Sequence, residues 1–202
     1  MDVVFGFAER DGDRVHNSAA VIGRNGRLLD VYRKVHCRDF EDVGTRGWFT
    51  PGDRFFALKR PWSAGSYQLG TMICFDREVT ETVRCLRALG AQLIACPLAC
   101  NTADAGALRN GADNEMVTRV RAAENEVFIA VANHAGRFNG GSFVVGPGGE
   151  LLHQMGKEPG VVVLDIPVGV VAEKFHARPL GWMGWGYRRP EVYDQYLGGG
   201  KA

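Results

Sequence analysis

Strand-like runs open this 202-residue chain and return over 143–166, while the stretch between them includes helical spacing. Residues 3–9 read as a strand that starts almost at the first residue. Residues 18–22 and 27–32 read as two more, joined through Asn25-Gly26, a strong hairpin signal. Residues 38–54 carry no period and read as a polar loop, with Trp48 and Phe49 ahead of Pro51-Gly52-Asp53. Residues 67–74 form the next predicted strand. Val79, Val83, Leu86 and Leu89 then recur at helical spacing, with Thr80 placed to cap the helix and Gly90 to stop it. A short buried strand is expected over 92–96, ended by Pro97. A second helix follows over 113–126, with Asp113 and Glu115 near its start, then a strand over 127–133. Residues 143–146, 150–154 and 161–166 suit antiparallel strands around Gly148-Gly149, and the tail from Phe175 has no clear period. This order predicts one α/β domain over 1–202, a mixed sheet covered by helices on one face.

Composition narrows the partners. The chain is 46% hydrophobic and 23% charged with a formal net charge of +1, which gives no reason to expect nucleic acid or an anionic membrane. No apolar run approaches the ~20 residues of a membrane span, and no signal-peptide pattern opens the sequence. The five cysteines (37, 74, 85, 96 and 100) are odd in number and scattered, so a reducing cytoplasm is expected in place of a disulfide framework. At this length a single core can bury about 70% of the unfolded surface.

The residue that changes the picture is Cys74, where a buried-looking strand gives way to a polar helix. Most unpaired cysteines are small buried hydrophobes, but backbone N–H groups at a helix start favour the thiolate. Cys85 and Cys96 have no such setting, and Cys96 and Cys100 lack histidines at ligand spacing, so neither a metal nor a cofactor is expected. Lys34 lies in the strand-like run Tyr32-Arg33-Lys34-Val35-His36 and is a candidate for stabilising an oxyanion. Glu41 follows in the loop, where a side chain can fold back toward a site. Glu9 runs into Arg10-Asp11-Gly12-Asp13 and reads as a surface carboxylate. Arg121, Glu124 and Asn125 read as a solvated helix end, and His134, at a strand end, as a hydrogen-bonded structural side chain ahead of a pocket-lining one. A cysteine and a lysine without a metal point to covalent amide chemistry, with a general base hard to find.

Taken together, these segments resemble the nitrilase, or carbon–nitrogen hydrolase, superfamily. Gly6-Phe7-Ala8-Glu9-Arg10 with Asn17-Ser18-Ala19 is similar to its early strand pair, the run 32–36 to its lysine segment, and Phe49-Thr50-Pro51-Gly52-Asp53 to the loop that follows. Ile73-Cys74-Phe75-Asp76-Arg77-Glu78-Val79-Thr80-Glu81 resembles its nucleophile segment, with Gly90-Ala91-Gln92-Leu93-Ile94 and Pro97 as the next strand. Arg121-Ala122-Ala123-Glu124-Asn125, Asn133, Gly141-Ser142-Phe143-Val144-Val145 and Arg189-Pro190-Glu191-Val192-Tyr193 complete the series in the family's order.

The resemblance implies an α-β-β-α sandwich, two sheets flanked by helices, and assembly into dimers or larger homo-oligomers. It implies a Glu–Lys–Cys triad in which Cys74 is the nucleophile and Lys34 the cation near the oxyanion. Glu41 matches a further acid that positions the substrate or the lysine. Phe75, where tyrosine is common, and Asn101 fall at substrate-binding positions, with the pocket shaped by loops near 38–48 and 99–108. The family's triad glutamate lies before the strand that here begins at Val3, so the resemblance implies an N-terminally short form. Such a form is expected to present an uncovered surface at residues 3–7 and to aggregate or dimerise through it. The implied reaction is thiol-dependent hydrolysis of a small-molecule amide or carbamoyl group, releasing ammonia through a thioester. An impaired homologue serving as a binding or assembly subunit is the alternative, and acyl transfer to an amine shares the same first half-reaction.

Overall fold

The alternation at the start of the chain builds an antiparallel sheet of three strands, β1 (Val3–Asp11), β2 (Arg14–Ile22) and β3 (Leu28–Arg33), in that order. A computed structural model describes residues 1–63, 65–100, 114–138, 140–171, 173 and 185–197. The hairpin between β2 and β3 holds Asn25-Gly26 as expected, but in a longer loop over 23–27 in which Gly26, at φ 76, is the residue in the left-handed region.

A second sheet contains β4 (Ala57–Trp62), β5 (Gly65–Thr71), β6 (Leu93–Leu98), β7 (Phe128–Asn133), β8 (Phe143–Val145) and β9 (Leu151–Gln154), again in chain order. The central pairs β5–β6 and β6–β7 are parallel and the others antiparallel. Parallel neighbours need crossovers, and helices α1 (Thr80–Ala88) and α2 (Asn114–Asn125) lie on the two connections. Helix α3 (Pro190–Leu197) follows near the end of the described chain.

Two cores divide the molecule. Met72, Val83, Leu86, Ile94, Ala122, Val127 and Ile129 are buried between the six-stranded sheet and α1 and α2. Ala19, Val21, Tyr32, Phe56, Leu69 and Ile73 are buried between the two sheets. The two sheets and the helices therefore stack in α-β-β order, three of the four layers of an α-β-β-α sandwich, where the alternation alone suggests one mixed sheet.

Four local expectations are corrected. Residues 57–62 are a strand the pattern did not reveal; β4 is an edge strand, which tolerates Pro61. Residues 161–166 are not a strand, and Val161 and Val163 are 93% and 88% exposed; among the described residues no strand extends the sheet beyond β9. Pro97 does not end β6, which runs to Leu98; β5 pairs only as far as Ala95, so no ladder bond is asked of the missing N–H. Thr80 is the first residue of α1, and the cap is Val79, with no side-chain hydrogen bond.

Candidate active site

The strand expected over 67–74 stops at Thr71, and the last residues before Cys74 turn sharply. Ile73 is extended, Cys74 adopts φ 49, and the segment Cys74–Glu78 is a 3₁₀ helix. A non-glycine residue in the left-handed region costs about 1–3 kcal/mol and persists only when its surroundings over-determine it. Here Asp76, fully buried, accepts the Ile73 N–H at 3.0 Å, and the Asp76 N–H returns a bond to Ile73 O at 3.0 Å. From α2, Arg121 donates to the Arg77 and Glu78 carbonyls at 3.2 and 3.1 Å, so it clamps the far end of the turn instead of facing solvent.

This turn places Cys74 against both hydrophobic cores and on the wall of a cavity of about 480 Å³. Phe5 and Phe7 of β1, Leu98 at the end of β6, and Asn133 and His134 at the end of β7 share that wall. The carboxyl ends of the parallel strands thus open onto the cavity, where open α/β sheets bind ligands. His134 lines it with its ring 5.9 Å from that of Phe138.

Lys34 comes from the other sheet, one residue beyond β3. Its N–H donates to Asn17 O at 2.8 Å, and Gly52 N–H donates to Lys34 O at 2.8 Å. The side chain is completely buried, where an ammonium group is tolerated only with a partner. That partner is Glu41, whose Oε2 lies 2.6 Å from Lys34 Nζ and also accepts the Arg38 N–H at 3.0 Å. Asn17 Nδ2 donates to Glu41 Oε1 at 3.2 Å. The loop delivers Glu41 by folding tightly: Trp48 and Phe49 N–H both donate to Glu41 O, at 2.9 and 2.8 Å. Glu41 and Cys74 line the same cavity, and Glu41 is the one carboxylate among its described lining residues.

The electrostatics differ from the expectation of a thiolate at a helix start. Burial pushes the Cys74 thiol up, and the charges of Lys34 and Arg77 offset this only in part. The turn is a short 3₁₀ segment, and the Cys74 backbone lies next to the Cys96 thiol. Burial holds Cys96 itself at about 12, an inert thiol. Cys74 therefore rests as the thiol at neutral pH, and attack requires its proton to be taken.

Of the residues marked in the sequence, Cys74, Lys34 and Glu41 are brought together. Phe75 is placed beside Arg38, whose guanidinium lies 5.2 Å over its ring, and not among the lining residues. Asn101 lies outside the described residues. Glu9 is bound by Arg33 at 2.6 Å and Ser18 at 2.6 Å, away from the cavity. Asn17, Asp76 and Asn133 carry the site's hydrogen bonding; they stand in the segments of the resemblance without a role there, because their signal is contact across sheet register, which spacing does not reveal. Asn133 Nδ2 alone donates to Cys100, Phe138 and Gly140 carbonyls at 2.9, 3.2 and 2.7 Å, tying together the loops at the cavity rim. Among the described residues, no group of three His, Cys, Asp or Glu side chains is placed to hold a metal ion.

Comparison with known proteins bears directly on this geometry. A family model described as carbon-nitrogen hydrolase matches residues 1–174. The omega-amidase NIT2 of Homo sapiens is 33% identical over 177 residues, covering 82% of this chain and 60% of that protein. The N-carbamoylputrescine amidase of Solanum tuberosum is 29% identical over 206 residues, covering 95% of this chain and 66% of its own length. The chain thus spans about two thirds or less of these relatives. Among solved structures, a nitrilase-superfamily amidase from Nesterenkonia AN1 is similar with a TM-score of 0.77 and 28% identity, covering 98% of this chain and 68% of that one. Another form of that amidase shows covalent addition of the acetamide moiety of fluoroacetamide at its active-site cysteine.

Proposed function

We propose, because the chain belongs to the carbon–nitrogen hydrolase family, that it carries out thiol-dependent hydrolysis of a non-peptide C–N bond in a small amide or carbamoyl compound. Cys74 is the nucleophile, Lys34 the oxyanion cation, and Glu41 the carboxylate that holds Lys34 and relays protons. The observation that carries this reading is the buried Lys34–Glu41 pair, 2.6 Å apart, with Glu41 opening onto the cavity that Cys74 lines.

In the first half-reaction the Cys74 sulfur attacks the amide carbon while its proton passes to the carboxylate. Negative charge gathers on the substrate oxygen, near the Lys34 ammonium. The tetrahedral centre collapses, the C–N bond breaks, and nitrogen takes the proton and leaves as ammonia. Water then attacks the thioester, gives a proton to the carboxylate, and the acid departs as that proton returns to sulfur. General acid–base assistance of this kind is worth about 10²–10⁴-fold.

A second reading, an impaired homologue used for binding or assembly, draws on a specific observation. Glu41 is already engaged by Lys34, Arg38 and Asn17, which leaves it a poor base toward water. Five free thiols suit a reducing compartment, so the cytoplasm is the proposed location.

Ammonia release from acetamide, propionamide and butyramide separates the readings. Steady release that disappears in Cys74→Ala supports hydrolysis, and a single equivalent supports the impaired form. No release above the Cys74→Ala background overturns both catalytic steps.

A further inference from the structure

We propose that Asp76 is a positioning residue that sets the placement of Cys74 relative to Lys34, and with it the reactivity of the thiol. The inference rests on the reading of Cys74 as the nucleophile. Asp76 is fully buried, and each of its carboxylate oxygens has two partners. Oδ2 accepts the Tyr32 hydroxyl at 2.7 Å and the Ile73 N–H at 3.0 Å. Oδ1 accepts the His36 N–H at 2.9 Å and faces His36 Nδ1 at 3.0 Å.

The positions of these partners carry the argument. Tyr32 and His36 stand two residues before and two residues after Lys34, and Ile73 immediately precedes Cys74. One carboxylate therefore binds the lysine-bearing segment at both flanks to the strained turn of the nucleophile. Thr82 Oγ1 lies 3.1 Å from His36 Nδ1, so the first turn of α1 joins the same network. The two sheets contribute Lys34 and Cys74 separately, and within this network Asp76 is the group that touches both segments.

The chemistry also explains why a carboxylate is needed. Both oxygens face donors, and two of those donors are backbone N–H groups that cannot reverse their role. Asparagine matches the shape of aspartate but turns an NH₂ toward one of the two sides. Whichever side it faces, a buried N–H loses its acceptor, at a site where neither segment has slack.

The test measures Cys74 alkylation by iodoacetamide against pH, with peptide mapping to separate Cys74 from the other thiols. It uses the full chain and needs no turnover. In Asp76→Asn the profile shifts to higher pH as Lys34 loses its hold near the sulfur, and the rate near neutral pH falls about tenfold, the effect of roughly one pKa unit. Tyr32→Phe removes a single donor without changing volume and shifts the profile less, in the same direction. It decides the matter should Asp76→Asn not fold. Val83→Ala, which opens a cavity under α1, lowers the melting temperature but leaves the profile in place, marking the difference between positioning and mere stability. A wild-type profile in both Asp76→Asn and Tyr32→Phe overturns the role of Asp76 alone. Failure of wild-type Cys74 to alkylate overturns the nucleophile reading and this inference with it.

Discussion

A lysine ammonium with no exposed surface is the costliest group in this site, and Glu41 is what makes it tolerable. Removing one member of a buried pair leaves the other uncompensated, typically at about 3–5 kcal/mol. Glu41→Ala is therefore expected to lower stability by about that amount and to abolish ammonia release, as thermal unfolding and the amide assay would show. Lys34→Met removes the buried charge itself and is expected to cost less stability while abolishing activity equally. If Glu41→Ala unfolds at the wild-type temperature, the pair does not compensate a buried charge. At this scale Cys74 and Lys34 were marked by the residue types around them and Glu41 by its loop position and the family resemblance, and the structure brings the three together. The thiolate at Cys74 was misread, since burial is set by two sheets closing over the sulfur and not by the residues beside it. The roles of Asn17 and Asp76 stayed hidden for a related reason. They reach Glu41 and Tyr32 across separations of 24 and 44 residues that only sheet register and packing define.

The loop that carries Glu41 works because its backbone can close on itself. A Cβ at Gly47 would fall 1.9 Å from the Glu41 carbonyl carbon, and one at Gly52 would fall 2.2 Å from Arg33 O. Both obstacles are backbone, so neither can rotate aside. Gly47→Ala is expected to displace Glu41 and lose most amide turnover while α1 and α2 remain, a combination that circular dichroism with an ammonia assay would detect. Turnover within twofold of wild type would contradict it. The three-stranded sheet has its own pH signature. A hydrogen bond from Arg33, aided by Ser18, holds Glu9 at about 2, well below its ordinary 4.5. A carboxylate depressed by folding stabilises the native state above its unfolded value and loses that contribution as pH falls through the folded one. Stability should therefore decline from about pH 4.5 toward pH 2, and Glu9→Gln should flatten that part of the denaturation profile. Element prediction succeeded where one period was sustained, as in β1 and α1. It failed at β4, whose mixed edge pattern includes Pro61, and at 161–166, where strand-forming residues have no strand to pair with among the described residues.

Across the whole molecule, the site lies where two separately stabilised layers meet. One sheet brings Lys34 and Glu41, the other brings Cys74, and the cavity is the seam between them. The outer edge of β1 borders that seam, with Val3 38% and Phe5 45% exposed and no strand beside it among the described residues. We propose that this edge mediates self-association, the expectation drawn above for an uncovered surface at residues 3–7. Light scattering should show a species larger than the monomer, reduced by the pair Val3→Lys and Phe5→Lys, because charged edges resist pairing. A monodisperse monomer in the unaltered chain would contradict this. The layered arrangement itself was legible only through the resemblance, since alternation gives strands but does not say which sheet each joins. The most direct test of the account is acid-quenched mass spectrometry of the chain exposed to butyramide. A butyryl group is expected on the Cys74 peptide during turnover, with ammonia released in excess of the groups bound, and both absent in Cys74→Ala. An unmodified Cys74 peptide, with ammonia no higher than in Cys74→Ala, would contradict it.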